Sequence, residues 1–149
     1  ATFTQWITNG KDSDGNQNNL TNIVIANFLM TGNRIQCNLY ANATDLSLST
    51  NNIVNANKLG NISGLTSLSL YNNNISTFIP TINLTISLTT IQFDDNQMTT
   101  ASYTAMEAWA TAQPAFTNTC NVYFSNNIDS VSGTNLETIL ISKNCNVIA

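Results

Sequence analysis

The stretch LTSLSLYNNNI, Leu65 to Ile75, decides how this chain is read. Leu65, Leu68 and Leu70 stand at its first, fourth and sixth places, Asn73 is ninth and Ile75 eleventh. The Leu-Ser-Leu at its centre has the period of two that puts alternate side chains of a strand on opposite faces. The Asn cluster after it is turn chemistry. The same frame returns in LTTIQFDDNQM, with Leu88, Ile91, Phe93, Asn96 and Met98, and in ATDLSLSTNNI, with Ala43, Leu46, Leu48, Asn51 and Ile53. Weaker copies begin at Leu20 (Ile23, Ile25, Phe28, Met30), at Thr119 (Val122, Phe124, Asn127) and at Leu136 (Ile139, Ile141, Asn144). Starts at 20, 43, 65 and 88 are spaced 23, 22 and 23 residues apart, and self-similarity at such a fixed period is the signature of repeat architectures.

The pattern LxxLxLxxNxL over residues 20–147 resembles the leucine-rich-repeat family. Leu59 and Ile62 before Leu65 are similar to the 22-residue class of bacterial internalin-type surface proteins. The resemblance implies an α/β solenoid with a parallel β-sheet on its concave face, each turn burying its apolar edge against the next. It also implies a structural ladder of Asn51, Asn73, Asn96, Asn127 and Asn144, whose amides satisfy buried backbone groups at the bends.

The period breaks after Met98. ASYTAMEAWATAQP supplies good helix formers (Ala101, Ala105, Met106, Ala108, Trp109, Ala112) and ends in Pro114, which predicts a helix over 100–113 inserted on the convex side, with Met106 and Trp109 as packing anchors. The last unit is short and is expected to lack a convex segment and to close the end. The chain thus reads as one domain, 1–149: an N-terminal cap and polar loop (1–19), repeats with the helix (20–118), and irregular C-terminal repeats with a cap (119–149). In the polar loop, Asp12 to Asn16 match only the opening of a calcium-loop pattern and the later ligand positions do not follow, so no metal is expected.

Composition narrows the function. Charged residues are 8%, His is absent, and the chain holds 26 Asn, 21 Thr and 13 Ser, so uncharged amides and hydroxyls replace the usual Lys and Glu coat. One Arg and three Lys in a chain of net charge −4 give no field for a phosphate backbone, which argues against nucleic-acid partners. No apolar run is long enough to insert in a membrane, and no targeting signal is visible. Five N-x-S/T sequons carry little information in so Asn- and Thr-rich a chain. Three cysteines (Cys37, Cys120, Cys145) do not make a disulfide framework. The repeat frame places Cys120 and Cys145 at opposite ends of neighbouring strands, too far apart to bridge, so free thiols are expected.

Without His, and without GxSxG, CxxC, HExxH or a phosphate loop, nothing supports catalysis or a cofactor. The expected outward columns are the second (Thr21, Thr44, Thr66, Thr89, Cys120, Glu137), third (Asn22, Asp45, Ser67, Thr90, Asn121, Thr138), fifth (Val24, Ser47, Ser69, Gln92, Tyr123, Leu140) and seventh (Ala26, Ser49, Tyr71, Asp94, Ser125, Ser142). Strand propensity accounts for the Thr column. Tyr71, Gln92, Asp94, Asp95 and Tyr123 are the candidate contact residues, since exposed aromatics beside charges and amides mark binding sites. The expectation is a non-enzymatic recognition or adhesion module on a cell or virion surface, binding a host protein or glycan through the concave face. The alternative is a structural subunit of a virus particle, a capsid decoration or fibre, acting through self-association or capsid assembly.

Overall fold

In a computed structural model the chain is described at residues 22–24 (backbone only), 44–50, 53–54, 56, 64–80 and 83–149. Six short strands occur there: β1 Asn22–Val24, β2 Asp45–Ser47, β3 Ser67–Ser69, β4 Thr90–Gln92, β5 Cys120–Tyr123 and β6 Cys145–Ile148. They form one parallel sheet in the order of the sequence, β1-β2-β3-β4-β5-β6. Two helices, α1 Thr100–Ala112 and α2 Asn135–Ser142, make the β4–β5 and β5–β6 connections. The arrangement is α/β. Parallel neighbours need such crossovers because a tight turn cannot reverse the chain twice.

The register aligns equivalent places of the sequence frame. Leu46 pairs with Leu68, Leu68 with Ile91 and Ile91 with Val122. Those residues, and Leu48, Leu70, Phe93 and Phe124 two places on, are at most 2% exposed. Alternation therefore sends both members of each apolar pair to the same buried side. Ile53, Leu65, Ile75, Leu88 and Met98 join them in one core. The aromatics chain together through it: Phe78 meets Phe93 at 4.8 Å between ring centroids, Phe93 stacks on Phe124 at 5.3 Å, and Phe78 meets Trp109 edge-on at 5.4 Å.

The helix expected over 100–113 spans Thr100–Ala112. Thr99 caps it: its hydroxyl accepts from the Ser102 N–H, while the Ser102 hydroxyl accepts from the Thr99 N–H. The Asp129 carboxylate accepts from the Thr100 N–H at 2.8 Å, where the helix dipole favours an anion. Met106 and Trp109 are buried, as is Tyr103, whose hydroxyl donates to the Asp129 carbonyl. The buried face differs from the one the alanines outline. Ser102, Tyr103, Met106, Trp109 and Ala110 face inward, whereas Ala101, Ala105, Ala108 and Ala112 are exposed. Past its end Gln113 is wholly buried and exchanges two hydrogen bonds with the Leu84 backbone, Nε2 to O and N to Oε1.

The C-terminal region departs from expectation. LETILIS is helix α2, not a strand, and the sixth strand is CNVI. Leu136 and Leu140 are its buried residues, so Leu140 is no outward strand position; nor are Glu137, Thr138 and Ser142. The physical reason lies in Thr134 and Glu137. The Thr134 hydroxyl accepts from the Glu137 N–H, the Glu137 carboxylate accepts from the Gly133 N–H, and together they start a helix. The last connection thus carries its own helix, a second one, which packs against α1 and β6.

Residues 1–19, Leu20, Cys37, Ala43, Asn51, Leu59 and Ile62, and the side chains of the first copy, for which the sequence carries expectations, lie outside the described residues.

Candidate binding face and its supporting ladder

After each of β2 to β5 the chain turns through one residue with positive φ: Thr50 at 56°, Asn72 at 56°, Asp95 at 54° and Asn126 at 58°. Asn and Asp tolerate this left-handed conformation because short polar side chains bond locally, whereas a β-branched Thr is strained in it. The turn residues are linked side by side, Asn72 Nδ2 donating to Thr50 Oγ1 and Asn126 Nδ2 to Asp95 Oδ1.

The next residue is the repeated Asn. Asn73 Nδ2 donates to the Leu48, Leu70 and Tyr71 carbonyls, and its Oδ1 accepts from the Ile53 N–H. Asn96 repeats the set with Leu70, Phe93, Asp94 and the Ile75 N–H. Asn127 gives two of the donations, to Phe93 and Phe124, and accepts from the Met98 N–H. Each amide therefore ties its own turn to the preceding one. Asn144 does not belong to this ladder: it precedes β6, is exposed, and donates to the Phe116 carbonyl.

The Thr column is also structural. Thr66 Oγ1 donates to the Thr44 carbonyl and Thr89 Oγ1 to the Thr66 carbonyl, each at 3.1 Å. These residues are two places before inward Leu or Ile and share their alternation, so the second column is not part of the outward face. Cys120, next in that column, is 0% exposed.

The outward face is built from the third, fifth and seventh positions. Register sets Ser47, Ser69, Gln92 and Tyr123 in one row. Two residues further, Ser49, Tyr71, Asp94 and Ser125 form a second, held by Asn72 N–H to Asp94 O and Asp95 N–H to Ser125 O. Four of the five candidate contact residues thus come together on one sheet face. Tyr71 is 38% exposed. Asp95 lies in the following turn, its carboxylate accepting from Asn126.

Two groups on this face are buried without a hydrogen-bond partner, Ser69 Oγ and Asp94 Oδ1. Ser69 is only 7% exposed. Burial raises the Asp94 carboxyl above its ordinary value; the Ser125 backbone N–H offsets part of the rise, and the charge of Asp95 adds to it. Trp109 Nε1, in the core, is buried without a partner in the same way, so this property does not single out the face. Ser69 was not singled out from sequence, because an outward place in the repeat frame does not reveal its burial.

No family model, curated protein or solved structure matches this chain.

The remaining chemistry is limited. Among the described residues no cluster of His, Cys, Asp and Glu could hold a metal ion, and no helix is long and apolar enough to cross a membrane. Cys120 and Cys145 are free thiols and both are buried. They are register partners on adjacent strands, not opposite ends of neighbouring ones, which corrects the separation expected from the frame. The misplaced last strand caused that error. Its true position was signalled by the repeated Cys-Asn-Val of CNVY at 120 and CNVI at 145.

Proposed function

We propose that the chain is a leucine-rich-repeat solenoid acting as a non-enzymatic recognition module, which binds an uncharged polar ligand, a glycan or a host protein surface, on the face of Tyr71, Gln92, Asp94 and Tyr123. Support for the solenoid comes from the in-order parallel sheet and from the hydrogen-bond set repeated at Asn73, Asn96 and Asn127. The observation that carries the binding reading is the register that gathers Tyr71, Gln92, Asp94 and Tyr123 on one sheet face, with Tyr71 38% exposed. The half-buried Gln92 amide and Tyr123 hydroxyl offer hydrogen-bonding groups to a polar ligand, and the Tyr71 ring offers a stacking platform. Exposed display on a cell or virion follows from this reading.

The alternative, a structural subunit assembling in a virus particle, draws on a different observation: Ile128 and Ile141 are 60% and 57% exposed, away from the sheet face. Two measurements separate the readings. The purified chain is weighed in solution and screened on a glycan array. A monomer with saturable glycan binding that Tyr71→Ala abolishes supports recognition. A stable symmetric oligomer without glycan binding, broken by Ile141→Asp, supports assembly and overturns the first reading.

A further inference from the structure

Cys120 and Cys145 stand directly opposite each other at the starts of β5 and β6. Register partners in a parallel sheet are about 4.8 Å apart, inside the 4.4–6.8 Å range of Cα separations that disulfides span. In-register side chains leave the same face of the sheet, so the two thiols lie on the same side of it. They are 0% and 7% exposed. The pair is separate from the candidate binding face and has no part in the Asn ladder.

We propose that Cys120 and Cys145 are a redox-closable staple, joined into a disulfide by a peroxide-class oxidant and reopened by a thiol reductant. Cys145 is the residue oxidised first. It is the more accessible of the two, and β6 is the last strand in the sheet order, which local opening reaches most readily. The neighbouring thiol and burial hold the Cys120 thiol well above its ordinary value, while the neighbouring Cys120 favours the Cys145 thiolate. The Cys145 thiolate attacks a peroxide oxygen, breaking the O–O bond; one oxygen stays as the sulfenic acid and the other leaves as water after taking up a proton. Cys120 then displaces the sulfenic oxygen, forming the S–S bond and releasing a second water. In sum two thiols are oxidised, one peroxide is reduced, and two waters form. Closure ties β6, and α2 before it, to β5.

The test uses the full chain, treated with hydrogen peroxide, alkylated under denaturing conditions and digested with trypsin. Lys143 separates the two cysteines, so the peptide 144–149 stays attached to 59–143 only through the disulfide and is released by dithiothreitol. The expected result is that linked pair, with a melting temperature raised by several degrees over the reduced protein. The rise is absent in Cys145→Ser and kept in Cys37→Ser. Alkylated Cys120 and Cys145 after peroxide, stepwise over-oxidation of Cys145 without a link, or linkage through Cys37 would each overturn the proposal. Peptide mapping of the unsubstituted chain gives the answer even where a variant does not fold.

Discussion

Replacing Asn96 by Ala tests the ladder where it is most enclosed, at 2% exposure. Four hydrogen bonds disappear, but not with equal consequence. The Leu70 carbonyl keeps a donor from Asn73, the Phe93 carbonyl one from Asn127, and the Asp94 carbonyl one from the Asn72 N–H. The Ile75 N–H has no such second partner and is left buried and unpaired. One orphaned donor costs about 1–3 kcal/mol, and the three weakened carbonyls and the void add about 1–2 kcal/mol more. We expect Asn96→Ala to lose about 3 kcal/mol in urea unfolding at unchanged m-value, and about 6–12 °C in melting temperature. Asn96→Asp keeps the volume and the acceptor but turns a carboxylate oxygen toward three carbonyls, so at neutral pH it should lose at least as much. Asn127→Ala, half-buried and with fewer bonds, should lose less. A loss under about 0.5 kcal/mol for Asn96→Ala would refute the ladder as the fold's polar support.

Three further outcomes are expected. Thr50→Asn should stabilise by about 1 kcal/mol in thermal or urea unfolding, because Asn accepts the left-handed backbone (φ 56°) and keeps an oxygen for Asn72 Nδ2. Burial, with a smaller contribution from Asp129, raises the Tyr103 hydroxyl to about 12. The folded state then holds its proton where the unfolded state has lost it, so stability falls as pH rises from about 10 to about 12, and Tyr103→Phe should flatten that slope in melting curves. The Asp94 carboxyl is raised, so its ionised form weighs against the fold above the ordinary carboxylate range. Asp94→Asn should therefore raise the melting temperature at neutral pH and not in acid, while weakening glycan binding on the array.

The legible parts of this fold are those where one signal had no rival. Leu68 and Leu70, with Asn73 behind them, fit a strand and its bend and little else, and the helix at 100 was marked by composition and by Pro114. The illegible parts had rivals. In Leu136, Ile139 and Ile141 the apolar spacing of three and two suits a strand frame as well as a short helix. The Thr134-x-x-Glu137 cap that decides for helix lies outside the apolar pattern. The left-handed residues 50, 72, 95 and 126 form a column one place before the Asn ladder, and their Asn and Asp content was a readable signal. On the candidate face, alternation located Tyr71, Gln92, Asp94 and Tyr123, but the burial of Ser69 depends on the folded sheet and is invisible along one strand.

The position at which a ligand binds tests the proposed face most directly. An ¹⁵N-labelled sample titrated with the strongest glycan from the array should show amide shifts centred on residues 69–71, 92–94 and 123–125, saturating together and absent in Tyr71→Ala. Shifts confined to α1, α2 or the turns, with the sheet face silent, would contradict it.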